Sequence, residues 1–287
     1  MPIPRRSLLT AATALLACGC AAKPTIEQGS APTEPSRTPE APPTAVSLDP
    51  PTAAPVASTG APTQIKTISW YLSQVPKFPK APKPERISLP RGDSTPWWHR
   101  VPTQHKVAFI TIDDGGMSRT NDALQLIKRA DIPVTMFLNS PAAASHTSYF
   151  EAIRATGAHA QDHTVTHRNL KGQTYDFQYQ EIKDCADKLE QLFGERPWLF
   201  RPPFGNYDAV TLKAARDCGM RVSFMWAQTV NEGIVRYQTS KNIVKPGDVL
   251  LMHFRPALAD DLIGALKAIH ESGLTPARLE DYLPRAA

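Results

Sequence analysis

No apolar run in this 287-residue chain reaches the roughly 20 residues that a membrane-spanning helix needs; the longest, Leu8–Ala17, stops at Cys18. Cysteine is scarce: four in all, two of them (Cys18 and Cys20) at the N-terminal end, and the other two, Cys185 and Cys218, at no metal-ligand spacing. That excludes a cysteine-built zinc module. No cluster of arginine and lysine is interleaved with aromatics, which argues against nucleic acid as a partner, and no internal repeat is present. The net charge of +5 becomes +3 once Arg5 and Arg6 are taken away, because residues 1–17 hold no acid. This mild positive charge suits an anionic wall or membrane surface.

The N-terminus is an export signal. Arg5-Arg6-Ser7 precedes the short apolar run, and Leu15-Leu16-Ala17-Cys18 resembles a lipobox, in which the cysteine is acylated and becomes the new N-terminus. Cys18 is the expected lipidation site, with Cys20 as the alternative, and Arg5-Arg6 also fits a twin-arginine signal. Of the 28 prolines, 17 lie between Pro24 and Pro102, mixed with Ala, Thr, Ser and Glu. Four regions follow: a signal over 1–17, an extended linker over 18–64, a segment over 65–105 whose Trp70, Tyr71, Trp97 and Trp98 should pack on the domain, and a catalytic domain over 106–287. The expected location is the outer face of the membrane, anchored by lipid, or the medium if the lipobox is unused. Cys185 and Cys218, exported within one domain, are expected to pair; closing that loop would stabilise by about 3 to 4 kcal/mol, and two buried free thiols are the alternative.

From Lys106 onward, strand-like and helix-like segments alternate, the texture of an α/β fold built on a parallel sheet or barrel. Strands are expected at Val107–Ile112, Val134–Leu138, Leu199–Phe204, Val222–Ala227 and Val249–Phe254. The clearest helix is Tyr175–Phe193, with an apolar stripe, Thr174 as N-cap and Gly194 as its stop.

Four segments carry chemistry. Asp113-Asp114-Gly115-Gly116 closes the first strand, and two adjacent acids make sense if one binds a cation and the other serves as a base; a solvated turn is the alternative. In His163-Thr164-Val165-Thr166-His167, an extended backbone would hold the imidazoles roughly 13 Å apart, whereas one helical turn brings them to about 6 Å, so the strand ending at Asp162 is expected to curl into a turn here. Arg201, in Phe200-Arg201-Pro202-Pro203-Phe204-Gly205-Asn206, cannot lose its proton and needs an acid, for which Asp113 is the candidate. His253 closes the apolar run Val249–Met252, and alone it reads equally as a core histidine.

Together and in this order, TIDDG, HTVTH, RPPFGN and LLMH resemble the polysaccharide deacetylase family, the NodB-homology or carbohydrate esterase family 4 domain, over roughly residues 106–283. The resemblance implies a distorted (β/α)7-type barrel. It implies a zinc-type ion (Zn2+, or Co2+ or Ni2+) held by Asp114, His163 and His167, with Asp113 as base, Arg201 orienting it and His253 as acid. A main-chain N–H around Phe204 would hold the oxyanion, and Leu251 would line the acetyl pocket. The implied reaction removes N-acetyl groups from a polysaccharide, peptidoglycan or a chitin-like polymer; an acetylxylan-type O-acetyl esterase and a catalytically weak glycan-binding protein are the alternatives.

The chain departs from the family after the fifth strand. An Asp-x-x-Asp-Trp element is common there, with an aspartate that serves the acid histidine, but this chain reads Met225-Trp226-Ala227-Gln228-Thr229-Val230-Asn231-Glu232. Turnover slows unless Glu232 or another acid takes that place. Trp226 is expected in the core.

Overall fold

The computed structural model describes residues 66–116, 118–283 and 285. The expected signal and linker, with Cys18 and Cys20, lie outside the described residues. Strand β2 (Val107–Asp114) is buried along almost its whole length, as a strand covered on both faces must be. Its side chains alternate: Ala108, Ile110 and Ile112 join one apolar cluster, and Val107 and Phe109 another. The same split runs through β3 (Val134–Leu138), whose Val134, Met136 and Leu138 face the first cluster and Phe137 the second, and through β9 (Val249–His253), with Leu250 and Met252 opposed to Val249. One face therefore packs under helices and the other fills the inside of a curled sheet.

The other elements are α1 (Ile68–Gln74), β1 (Trp97–Trp98), α2 (Asn121–Arg129), α3 (Ser140–Ser145), α4 (Thr147–Arg154), β4 (Ala160–Asp162), α5 (Tyr175–Phe193), β5 (Leu199–Phe200), α6 (Ala209–Asp217), β6 (Val222–Phe224), β7 (Gln228–Asn231), β8 (Ile234–Tyr237), α7 (Leu258–Glu271), β10 (Thr275–Ala277) and α8 (Leu279–Tyr282). The sheet order is β1-β6-β5-β4-β3-β2-β9-β7-β8, with β10 beside the start of β2, and all pairings are parallel except the β7–β8 hairpin. The ends curl together: the chain leaving β6 becomes β7 beside β9, and Arg100 bridges Asp248 at the foot of β9. This is an α/β fold of the distorted-barrel kind.

Helix α5 has the bounds its stripe implies, with the Thr174 hydroxyl accepting from Phe177 N and Gly194 left-handed at φ 70°. The strand expected over Leu199–Phe204 stops at Phe200, because Pro202 and Pro203 lack the N–H a ladder needs, and a single 3-10 turn follows at Pro203–Gly205. The β7–β8 hairpin turns through Glu232 and Gly233, φ 55° and 73°, the two positive angles of a tight hairpin. In the 65–105 segment, Tyr71 is buried and its hydroxyl donates to Asp260 Oδ1 at 3.2 Å.

The expected pairing of Cys185 with Cys218 is corrected: both are buried free thiols. The Cys185 Sγ donates to Leu138 O and Cys218 Sγ to Tyr179 O, and the two sit in different apolar clusters, one beneath the sheet and one between α5 and α6. Burial raises both thiols, Cys218 to about 12, so neither forms a thiolate at neutral pH.

Candidate active site

Strand alternation selects the residues at the mouth of the barrel. In register, Asp113 lies beside Phe137 on β3 and His253 on β9, and Thr111 lies beside Thr135 and Leu251. All share the inward face, Thr111 and its neighbours one layer above Phe109 and Val249 and Asp113 and its neighbours two. Alternation alone would turn Asp114 outward, but its φ of 77° breaks the strand and brings its carboxylate back over the mouth. On β4, Asp162 pairs with Leu138 and faces outward under α5, so His163 faces inward. Asp162 is thus no ligand: its Oδ1 accepts from Thr164 N at 3.0 Å, and burial pushes its carboxyl up to about 8.

The histidine segment is an irregular bend rather than a helical turn, with Thr164 and His167 at φ 69° and 55°. A β-branched residue in that region is strained and must be held by its surroundings. Asn139 Nδ2 donates to the carbonyls of His163 (2.5 Å) and Thr164 (3.3 Å), and Glu181 of α5 accepts from the N–H and hydroxyl of Thr166 at 2.9 and 2.7 Å. The bend puts the two imidazole centroids 4.9 Å apart.

Asp114 Oδ1 lies 3.4 Å from Nε2 of both His163 and His167, and the three ligand atoms lie within 4.8 Å of one another. Two observations fit a cation here. Asp114 Oδ1 is buried without a hydrogen bond, an acceptor in want of positive charge. The His163 Nδ1–H donates to Arg201 O at 2.7 Å, which fixes the tautomer and leaves Nε2 bare for a ligand bond. The electrostatics agree. Burial works to raise Asp114, but the histidines outweigh it and hold it below the ordinary carboxylate value. Burial works to lower His163, yet Asp113 and Asp114 raise it above the ordinary histidine value, while burial and the charge of His163 lower His167. One carboxylate and two imidazoles converging at one point are a donor set for a dication.

Arg201 is 0% exposed. Its Nη1 donates to Asp113 Oδ1 at 2.6 Å and to Thr111 Oγ1 at 2.8 Å, its Nη2 to Met225 O, and its guanidinium lies 4.3 Å from the Phe137 ring centre. Burial lowers its pKa against the pull of Asp113. One oxygen of Asp113 is thereby committed, while Oδ2 faces His163 Nε2 at 3.7 Å.

A pocket of about 300 Å3 opens over these groups, lined by Asp113, Asp114, His163, His167, Phe204, Trp226, Leu251, His253 and Arg255. Phe204, at φ 61° and 60% exposed, forms its outer lip against the His167 ring. Trp226 is a correction: expected in the core, it is half-buried in the pocket wall, 5.8 Å from the Arg201 guanidinium. The cause is the early end of β6 at Phe224, which frees Trp226 from strand alternation. His253 Nδ1 is buried with no hydrogen-bond partner, and Glu232 is exposed on the β7–β8 turn. Arg255 was not expected in the site; it lies two residues beyond β9, in no motif and on no periodic face.

The polysaccharide deacetylase family model matches residues 100–223. An uncharacterized Streptomyces coelicolor protein, SCO4760, is 36% identical over 188 residues, which are 64% of this chain and 75% of that protein. The chain belongs to the polysaccharide deacetylase family. A peptidoglycan-N-acetylglucosamine deacetylase of Bacillus cereus is 26% identical over 186 residues, 59% of this chain and 68% of its own length. Among solved structures, a family 4 carbohydrate esterase from Streptomyces lividans in complex with acetate superposes with a TM-score of 0.52 at 21% identity, covering 60% of this chain and 91% of that one. BA3943, a family 4 pseudoenzyme from Bacillus anthracis, gives 0.56 at 19% identity over 67% and 70%. At these identities the structural likenesses establish the fold alone. The Asp114, His163 and His167 cluster is a candidate divalent-metal site of the type this deacetylase family carries.

Proposed function

We propose that this chain is a metal-dependent hydrolase that removes N-acetyl groups from a polysaccharide, with peptidoglycan as the first substrate to test. The observation that carries the reading is the orphaned Asp114 Oδ1 3.4 Å from the Nε2 atoms of both His163 and His167, with the uncommitted Asp113 Oδ2 3.7 Å from that of His163. A divalent ion of zinc type held by Asp114, His163 and His167 supplies Lewis acidity, acidifying water and drawing charge from the acetyl carbonyl.

The protein's own groups do the rest. Asp113 takes the proton of the attacking water at Oδ2, because Arg201 holds Oδ1. The turn at Pro203–Gly205, with Phe204 at positive φ, presents main chain to the developing oxyanion. As the C–N bond breaks, His253 gives a proton to the departing amine, leaving acetate and a free amino sugar. Leu251 and Trp226 wall the acyl end and limit it to about acetyl size.

A second reading, an O-acetyl esterase, draws on His253, whose Nδ1 has no carboxylate partner. An alkoxide leaves more readily than an amine and depends less on a strong acid. Acetate release from N-acetylated wall glycan against release from acetylxylan separates the two, and release from neither, with glycan binding retained, supports a non-catalytic binding protein. The placement we propose is outside the membrane on a lipid-modified Cys18, supported by the Arg5-Arg6 signal and the proline-rich stretch that follows. Labelled palmitate incorporation that disappears in Cys18→Ser tests it.

A further inference from the structure

The pocket holds a cation that the proposed chemistry does not use. Arg255 lines the same cavity as Asp113, Leu251 and His253, and it is held from behind. Its Nε donates to Asp261 Oδ2 at 3.1 Å and its Nη2 to Val230 O at 2.6 Å, with the Asp261 side chain fully buried and that of Arg255 20% exposed. Asp261 also accepts from Gly233 N at 2.9 Å, so α7, the β7–β8 turn and the end of β9 meet on one buried carboxylate. With Nε and Nη2 occupied, the guanidinium plane is fixed and Nη1 carries no protein hydrogen bond among the described residues. An arginine bonded on two nitrogens and free on the third is pre-organised for an anion, because little side-chain freedom remains to be lost on binding.

The size of the cavity says where that anion must be. Arg255 lines the same cavity of about 300 Å3 as the candidate metal ligands, which places it beside the sugar whose acetamide is being cut. We infer that Arg255 is a specificity residue that selects an N-acetyl sugar with a carboxylate-bearing ether on the ring carbon next to the one that holds the acetamide, the chemistry of the lactyl-bearing sugar of wall glycan rather than of its neutral neighbour. The inference rests on the deacetylase reading and narrows its substrate.

The test uses the full chain with zinc on two polymers: wall glycan freed of peptides, and the same glycan with its carboxylates converted to primary amides. The expected result for the native protein is acetate from the carboxylate-bearing sugar, assigned by mass, and a kcat/KM that falls roughly ten- to a hundredfold on the amidated polymer, the range for one hydrogen bond to a charged group. Arg255→Gln should bring the two polymers to within a factor of about 3 of each other by losing activity on the native one. Arg255→Lys should recover part of the preference. A native protein that treats both polymers alike, or that takes acetyl only from the neutral sugar, overturns the assignment of Arg255 and leaves the deacetylase reading standing. Acetate from no polymer overturns both. The two-polymer comparison on the native protein decides the matter even if the Arg255 variants fail to fold.

Discussion

Replacing Asp113 with asparagine should separate three properties that the site couples. Asp113 is no ligand of the candidate metal, so the variant should still bind one zinc-type ion per chain through Asp114, His163 and His167. It has lost the base, and removing a positioned general base slows a reaction roughly 10²- to 10⁴-fold. It has also removed the one carboxylate bonded to a fully buried guanidinium. Orphaning a buried charge costs about 3 to 5 kcal/mol, but Arg201 keeps Thr111 Oγ1, the Met225 carbonyl and the Phe137 ring, and asparagine still offers an oxygen at Oδ1. The loss should therefore be about 2 to 3 kcal/mol, and Asp113→Ala should approach the full cost. At roughly 2 to 4 °C per kcal/mol for a domain of this size, the Asn variant melts about 5 to 10 °C lower. Calorimetry, metal analysis and acetate release on one preparation measure all three. A variant that keeps its ion and more than a tenth of the native rate refutes the base assignment, and one that loses its ion refutes the division of labour between Asp113 and Asp114.

Two further outcomes concern the scaffold. Glu280 is buried on α8, accepting from Thr135 Oγ1 at 2.6 Å and Gln161 Nε2 at 3.0 Å, and burial raises its pKa above the ordinary glutamate value. The folded state thus holds its proton more tightly than the unfolded chain, so unfolding free energy should fall as pH climbs from the ordinary glutamate value to the raised one. Glu280→Gln should flatten that fall in urea titrations across pH, and an unchanged slope contradicts the assignment. In a Cys18→Ser, Cys20→Ser background, Cys185 and Cys218 should resist thiol reagents in the native protein and label with two equivalents after denaturation without reductant; no labelling there would mean a disulfide.

Much of the fold and site was legible because strand periodicity and ligand spacing meet in them. The alternation along Val107–Asp114 and Val249–His253 places Asp113 and His253 side by side, and the His163–His167 spacing, too long for chelation in a strand, implies the bend that Asn139 and Glu181 hold. The rest had no local signal. Trp226 enters the pocket because β6 stops early, and Arg255 does so because its acid, Asp261, lies six residues on in a helix that only the folded chain brings beneath it. The cysteine spacing allowed a bridge, but Cys185 is turned under the sheet, toward Leu138, and Cys218 toward Tyr179.

The central claim is that one ion at Asp114, His163 and His167 makes this chain a deacetylase. Zinc titrated into chelator-stripped protein, with acetate release from peptide-free wall glycan as the readout, tests it most directly. The rate should rise from background to a plateau at one equivalent. A rate indifferent to zinc, or no acetate at any ratio of metal to protein, would contradict it.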